Sequence, residues 1–96
     1  MMFIERIKQL REEQQLPQRK LAAVLDIDTA TYCKIEKGER KARREQIFII
    51  AQILKTDVEE LLTLWLADQV TAMVEDEHKI ADKALNIAKE NISKSK

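Results

Sequence analysis

The sequence is short of the residues that interrupt regular structure and of those that build reactive sites. One glycine, one proline, one cysteine and one histidine stand among 96 residues, and only 4% are aromatic. So few turn-formers, with no alternating β-branched runs, no internal repeat and no low-complexity tract, exclude a fibrous or disordered chain and point to an ordered, helix-rich one. A lone cysteine excludes an intramolecular disulfide and fits a reducing cytoplasm. His78 has no Cys or acidic cluster at zinc-ligand spacing, so no metal site is expected. Asp76, Glu77 and His78 lie side by side, but no nucleophile or cofactor motif accompanies them, so neither a catalytic site nor a cofactor is expected. No apolar run approaches the roughly 20 residues of a membrane span. The opening Met-Met-Phe-Ile has no basic stretch ahead of an apolar one, so a secretory leader is not expected either.

What is present is hydrophobic (45%) and charged (35%) in the balance of a folded protein, with a length suited to one core. The formal net charge is zero, yet it is unevenly spread. Residues 1–56 carry twelve Lys/Arg against eight Asp/Glu, and residues 57–96 carry five against nine. A basic half and an acidic half suit a chain that faces a polyanion with one end only. Taken alone, such faces are usually just solvated.

Apolar spacing predicts six helices. The first runs from about Phe3 to Gln15, with Ile4, Ile7 and Leu10 or Arg11 on one face, and Pro17 ends it. The second, Gln18 to Leu25, points Leu21, Ala22, Val24 and Leu25 inward. Asp26-Ile27-Asp28 breaks the pattern, and Asp28 is placed to cap a third helix, Thr29 to Lys37. Gly38, the only glycine, stops that helix where a left-handed residue belongs. After the polar run Glu39-Arg40-Lys41-Ala42-Arg43-Arg44, a fourth helix extends to about Leu54, with Ile47, Ile50, Ala51 and Leu54 on one face and Ile49 and Ile53 opposite. Asp57 with Glu60 reads as a capping-box variant opening a fifth helix that could reach Glu75. Asp76 and Glu77 would introduce a sixth, reaching Ile92, with Ser93 to Lys96 frayed.

Two short helices joined by three residues, the second closed by glycine, form a helix-turn-helix. In this arrangement the second helix braces the third, whose outer face enters the DNA major groove. The third must therefore be apolar inside, here Tyr32 and Ile35, and small or polar outside, here Thr29, Ala30, Cys33 and Lys34. Further residues extend the likeness: Gln18-x-x-Leu21-Ala22, Ile27-Asp28, Thr31-Tyr32-x-Lys34-Ile35-Glu36-Lys37-Gly38, Ile50-Ala51, Leu54 and Val58-Glu59-Glu60-Leu61-Leu62. Over roughly residues 4–66 the sequence resembles the Cro/C1-type helix-turn-helix (XRE-family) regulators, which include phage repressors and restriction-modification controller proteins.

The resemblance implies a lambda-repressor-like five-helix domain over residues 1–66, working on double-stranded DNA in a bacterial or phage-infected cytoplasm, at the nucleoid. By the same resemblance, Gln18 binds a DNA phosphate and buttresses the recognition helix. Thr29, Ala30, Cys33 and Lys34 read base edges or adjoining phosphates, and Lys37 also belongs to the DNA-binding set. Arg40, Lys41, Arg43 and Arg44 grip the backbone, and Arg11 and Glu36 form an ion pair tying the first helix to the third. Three positions depart from the family pattern. Asp26 replaces the usual turn glycine, Pro17 a capping Ser or Thr, and Ala42 a frequent proline.

Residues 67–96 add a helical extension, assigned to packing and dimerisation. The fifth helix is apolar almost all round, through Leu61, Leu62, Leu64, Trp65, Leu66, Val70, Met73 and Val74, so it must be buried on more than one side. Self-association is expected through Leu64, Trp65, Leu66, Val70, Met73 and Val74. The sixth helix, with Ile80, Ala84 and Ile87 on one face, is expected to cover the remaining apolar surface together with Ile49 and Ile53, in its own chain or in a mate. No small-molecule ligand is expected. The alternative is an antitoxin-like or co-activator module whose C-terminal segment binds another protein.

Overall fold

The computed structural model describes residues 1–95, and every regular element among them is an α-helix: α1 (Met2–Glu13), α2 (Gln18–Leu25), α3 (Thr29–Glu36), α4 (Arg44–Leu54), α5 (Val58–Val74) and α6 (Ala81–Lys94). The chain is all-α. Helices α1 to α5 close around a core of Phe3, Ile7, Leu21, Leu25, Tyr32, Ile35, Ile47, Ile50, Leu54 and Leu61, with the smaller Ala22, Ala42 and Ala51 buried among them. Burial of these side chains contributes about 25 cal/mol for each Å² of apolar surface removed from water and is what holds such short helices together.

The first four helices end alike. Each is followed by a left-handed residue: Gln15 (φ 56°), Asp26 (φ 57°), Gly38 (φ 80°) and Lys55 (φ 55°). In each case the next amide reaches back to the helix, from Leu16 to the Arg11 carbonyl, Ile27 to Ala22, Glu39 to Lys34 and Thr56 to Ala51. This satisfies a carbonyl left free at the helix end. Only Gly38 takes the conformation without strain, and an added Cβ there would press on the Ile4 side chain at 3.2 Å. Asp26 adopts the left-handed turn although it carries a Cβ, at a cost of about 1–2 kcal/mol.

Helix α1 opens with no side-chain cap from its own sequence. Its first amides, of Met2 and Phe3, donate instead to the Asp68 carboxylate of α5, at 3.1 and 2.8 Å. Asp68 is thus buried as a cap supplied from across the fold. At the other end of α1, Gln14 Nε2 donates to the Leu54 carbonyl at 2.6 Å, closing a free acceptor of α4.

Several expectations need correction. Val24 is 44% exposed rather than inward, because α2 packs through the arc of Leu21, Leu25 and Ala22 and Val24 falls beyond its edge. Helix α1 stops at Glu13 and α3 at Glu36, each two residues or less before its expected end. Asp57 accepts from the Glu59 amide at 3.4 Å, but Glu60 does not return the bond. Its carboxylate is drawn to Arg6 Nε at 2.9 Å, joining α5 to α1. Helix α6 begins at Ala81 rather than Asp76, since the amides of Glu77 and Ile80 close tight turns onto the Val74 and Glu77 carbonyls first. Within its own chain α6 covers neither the outer face of α5 nor Ile49. It has no buried residue, and Ile49 stays 37% exposed. Ile53 is half-buried against the core. The expected frayed end is corrected in part, since Ser93 and Lys94 continue α6, while Lys96 lies outside the described residues.

Candidate nucleic-acid interface

Helix α3 is held from behind by both chemistry and packing. The Asp28 carboxylate accepts from the Thr31 amide at 2.7 Å and fixes where the helix starts; hydrogen bonding from the Thr31 side chain, and then from its amide, holds Asp28 below its ordinary pKa. Tyr32 and Ile35 are fully buried beneath it. At its far end, Arg11 grips Glu36 with two parallel bonds, Nε to Oε2 at 2.7 Å and Nη2 to Oε1 at 3.0 Å. The third arm of Arg11 donates to the Leu16 carbonyl at 2.8 Å. Gln18 Nε2 adds a bond to Glu36 Oε1 at 3.2 Å. One carboxylate therefore ties α1, α2 and α3 together.

The side chains of the pair are only 12% and 3% exposed. Burial pushes the Glu36 carboxyl up, but the Arg11 and Gln18 hydrogen bonds and the Arg11 charge outweigh it, leaving the group below its ordinary value. Its hydrogen bond to Glu36 raises Arg11 in turn. The Tyr32 hydroxyl is buried beside this pair with no hydrogen-bond partner among the described residues, and burial drives its ionisation well above the usual range.

With α3 so fixed, its opposite face is free. Thr29, Ala30 and Lys34 are exposed, Cys33 is half-exposed, and Lys37 follows the last turn. These residues share one side of the helix, with no large apolar group among them. Beyond Gly38 the chain carries Arg40, Arg43 and Arg44, all exposed. Arg43 sits at the N-cap of α4, where the Gln46 side chain accepts from its amide at 2.8 Å. A helix N-terminus with free amides and three guanidinium groups nearby suits a phosphate. Arg43 also lies 3.7 Å from Glu45 in a fully solvated pair, which holds it only loosely.

Lys41 stands apart from the other cations. Its ammonium donates to Gln69 Oε1 and lies 5.5 Å from the centre of the Trp65 ring. Trp65 is half-buried and donates its indole N–H to the Ala42 carbonyl at 2.9 Å. Ala42, where the family often has proline, is itself buried. Helix α5 therefore anchors the middle of the basic loop. No local spacing announces this bond between residues 23 apart, and the sole tryptophan facing a loop was its one faint signal. Among the apolar residues expected at a self-association surface, Leu64, Trp65 and Val74 are half-buried within the chain, whereas Leu66, Val70 and Met73 are 48%, 44% and 80% exposed. Gln18, expected at a phosphate, is half-buried with one amide donor on Glu36.

A family model described as helix-turn-helix matches residues 7–61, more than half of the chain and the whole of α2, α3 and α4. No curated protein and no solved structure matches it significantly. Among the described residues, no group of His, Cys, Asp or Glu suited to a metal ion occurs and no helix is long and apolar enough to cross a membrane.

Proposed function

The chain belongs to the Cro/C1-type helix-turn-helix family and is a DNA-binding transcription regulator, and on that premise we propose that it reads a palindromic operator as a homodimer. The observation that carries the proposal is the pairing of two surfaces on the packed α1–α5 body. The outer face of α3 runs into the exposed cations Lys37, Arg40, Arg43 and Arg44, while Leu66, Val70 and Met73 leave an apolar stripe exposed on α5. The first surface suits one half-site of double-stranded DNA. The second suits a copy of itself, and a two-fold pair reads two half-sites about 34 Å apart.

Thr29, Ala30, Cys33 and Lys34 meet the bases in this reading, while Gln18, Lys37, Arg40, Arg43 and Arg44 meet phosphates. Lys41 serves the backbone only if it leaves Trp65 and Gln69. Residues 1–66 act as the DNA-binding unit and 67–96 as the assembly unit. Selecting bound sequences from a random duplex pool tests the proposal, and a palindromic consensus is expected. Arg43→Ala and Arg44→Ala should weaken binding to every sequence alike and flatten the salt dependence by about one unit of slope for each phosphate no longer held. Lys34→Ala should instead relax selectivity. Equal affinity for every duplex in the pool would overturn the operator reading.

The unburied face of α6 favours one other reading, in which the C-terminal segment binds a different protein as antitoxins do. Sedimentation of the purified chain separates the two: a stable homodimer supports operator reading by a symmetric pair.

A further inference from the structure

Two apolar surfaces stay open within the chain. One is a groove of about 520 Å³ between α1, the basic loop and α5, walled by Ile4, Ala42, Trp65, Ala72 and Met73. The other is one face of α6 with its N-cap residue, where Ile80, Ala84 and Ile87 recur at helical spacing; Ile80 is 53% and Ile87 59% exposed. A fourteen-residue helix gains little stability in water from its backbone alone, so this face needs something to lie on. The two surfaces agree in length. Trp65 to Met73 spans about 12 Å along α5, and Ile80 to Ile87 about 10 Å along α6, at 1.5 Å per residue. None of the α6 residues lines the groove of its own chain. The bonds from Glu77 to Val74 (2.9 Å) and from Ile80 to Glu77 (3.1 Å) set the direction in which α6 departs.

A stable interface takes about 20–30 residues a side, and the exposed stripe of α5 offers only Leu66, Val70 and Met73. The missing area is what a groove and a helix supply when each copy contributes both. We infer that α6 of one copy lies in the groove of a second copy, setting Ile80, Ala84 and Ile87 against Trp65, Ala72 and Met73, in a reciprocal two-fold exchange. This rests on the homodimer reading above. It also gives the exchange a regulatory consequence. Gly38, Arg40, Lys41 and Ala42 form one wall of the groove, so the helix that joins the two copies also braces the basic loop of each. Operator affinity is then tied to chain concentration through the same interface.

Cross-linking tests it in full-length protein with Cys33→Ser as background. Chains carrying Ala72→Cys are mixed with chains carrying Ala84→Cys under mild oxidation. The expected product is a disulfide-linked dimer in the mixture, much above that of either variant alone. Ile80→Lys with Ile87→Lys, both at exposed positions, should raise the dimer dissociation constant at least about ten-fold. A cross-linked monomer in the Ala72→Cys/Ala84→Cys double variant would place α6 in its own groove and overturn the exchange. A dimer that does not cross-link in the mixture would also overturn it, while leaving the homodimer reading intact. A chain that sediments as a monomer at every concentration would overturn both.

Discussion

Glu36 is the residue on which most of the local order turns. A single buried carboxylate accepts from Arg11 of α1 and Gln18 of α2 while standing on α3. Replacing one partner of such a pair strands the other, at about 3–5 kcal/mol when burial is complete. Because the Arg11 side chain keeps 12% of its exposure and a second acceptor at Leu16, Glu36→Gln should cost about 3 kcal/mol, near the lower bound. Thermal melting at neutral pH checks this, and equal midpoints for the two proteins would contradict it. The pH dependence has a definite sign. Glu36 sits below its ordinary value of 4.5 when folded, so its contribution is fully present above 4.5 and is lost as pH falls through the lower folded value. The gap between wild type and Glu36→Gln should therefore close on acidification below pH 4.5, and stay constant between there and neutrality.

Among the helices, α5 has the widest reach. It caps α1 through Asp68, anchors the basic loop through Trp65 and pairs with α1 through Glu60. Asp68→Ala leaves the Met2 and Phe3 amides without their acceptor and should cost about 1–2 kcal/mol, the usual worth of a helix cap. Hydrogen exchange at the start of α1 should quicken by more than exchange in α3; Asp68→Asn, which keeps one acceptor, should recover part of the stability. Trp65→Phe keeps an aromatic ring but removes the indole donor from the Ala42 carbonyl. With that bond gone, the loop is held to α5 less firmly and should bind every DNA sequence more weakly, with selectivity unchanged and melting altered by about 1 kcal/mol. Full affinity in Trp65→Phe would show that the loop needs no anchor.

For the molecule as a whole, α1 to α5 form the packed body, and α6 extends beyond it with no buried residue. Among the described residues, none of the thirteen buried apolar ones lies beyond Leu61. Truncation after Asp76 should therefore leave the melting of the α1–α5 body nearly unchanged in dilute solution, where single chains prevail. At higher concentration the truncated chain should dimerise more weakly, and its DNA affinity should fall in step. Sedimentation and melting across a concentration series check both halves. A drop of several degrees at the lowest concentration would mean that α6 packs on its own body after all.

Much of this could be read along the chain. Helical period, the Asp28 cap, the Gly38 stop and the left-handed turn at Asp26 are local properties, set by angles and hydrogen bonds within four or five residues. The helix-turn-helix and its exposed face follow from them, and the family likeness led to the pairing of Arg11 with Glu36. Other features depended on how rigid helices come to rest against one another. Phe3 and Asp68 are 65 residues apart, and Ala42 and Trp65 are 23 apart. No periodicity connects either pair. Val24 carries the right residue type at nearly the right angle, yet the packed edge of α2 passes just inside it. Glu60 stands where a capping box needs it, but Arg6 of α1 offers its carboxylate a full opposite charge. Sequence by itself determined which surfaces are apolar and which are charged, because side-chain chemistry and helical angle suffice for that. Only the tertiary structure decided which of those surfaces meet within the chain and which stay open, because each helix can turn only one face to the core at a time.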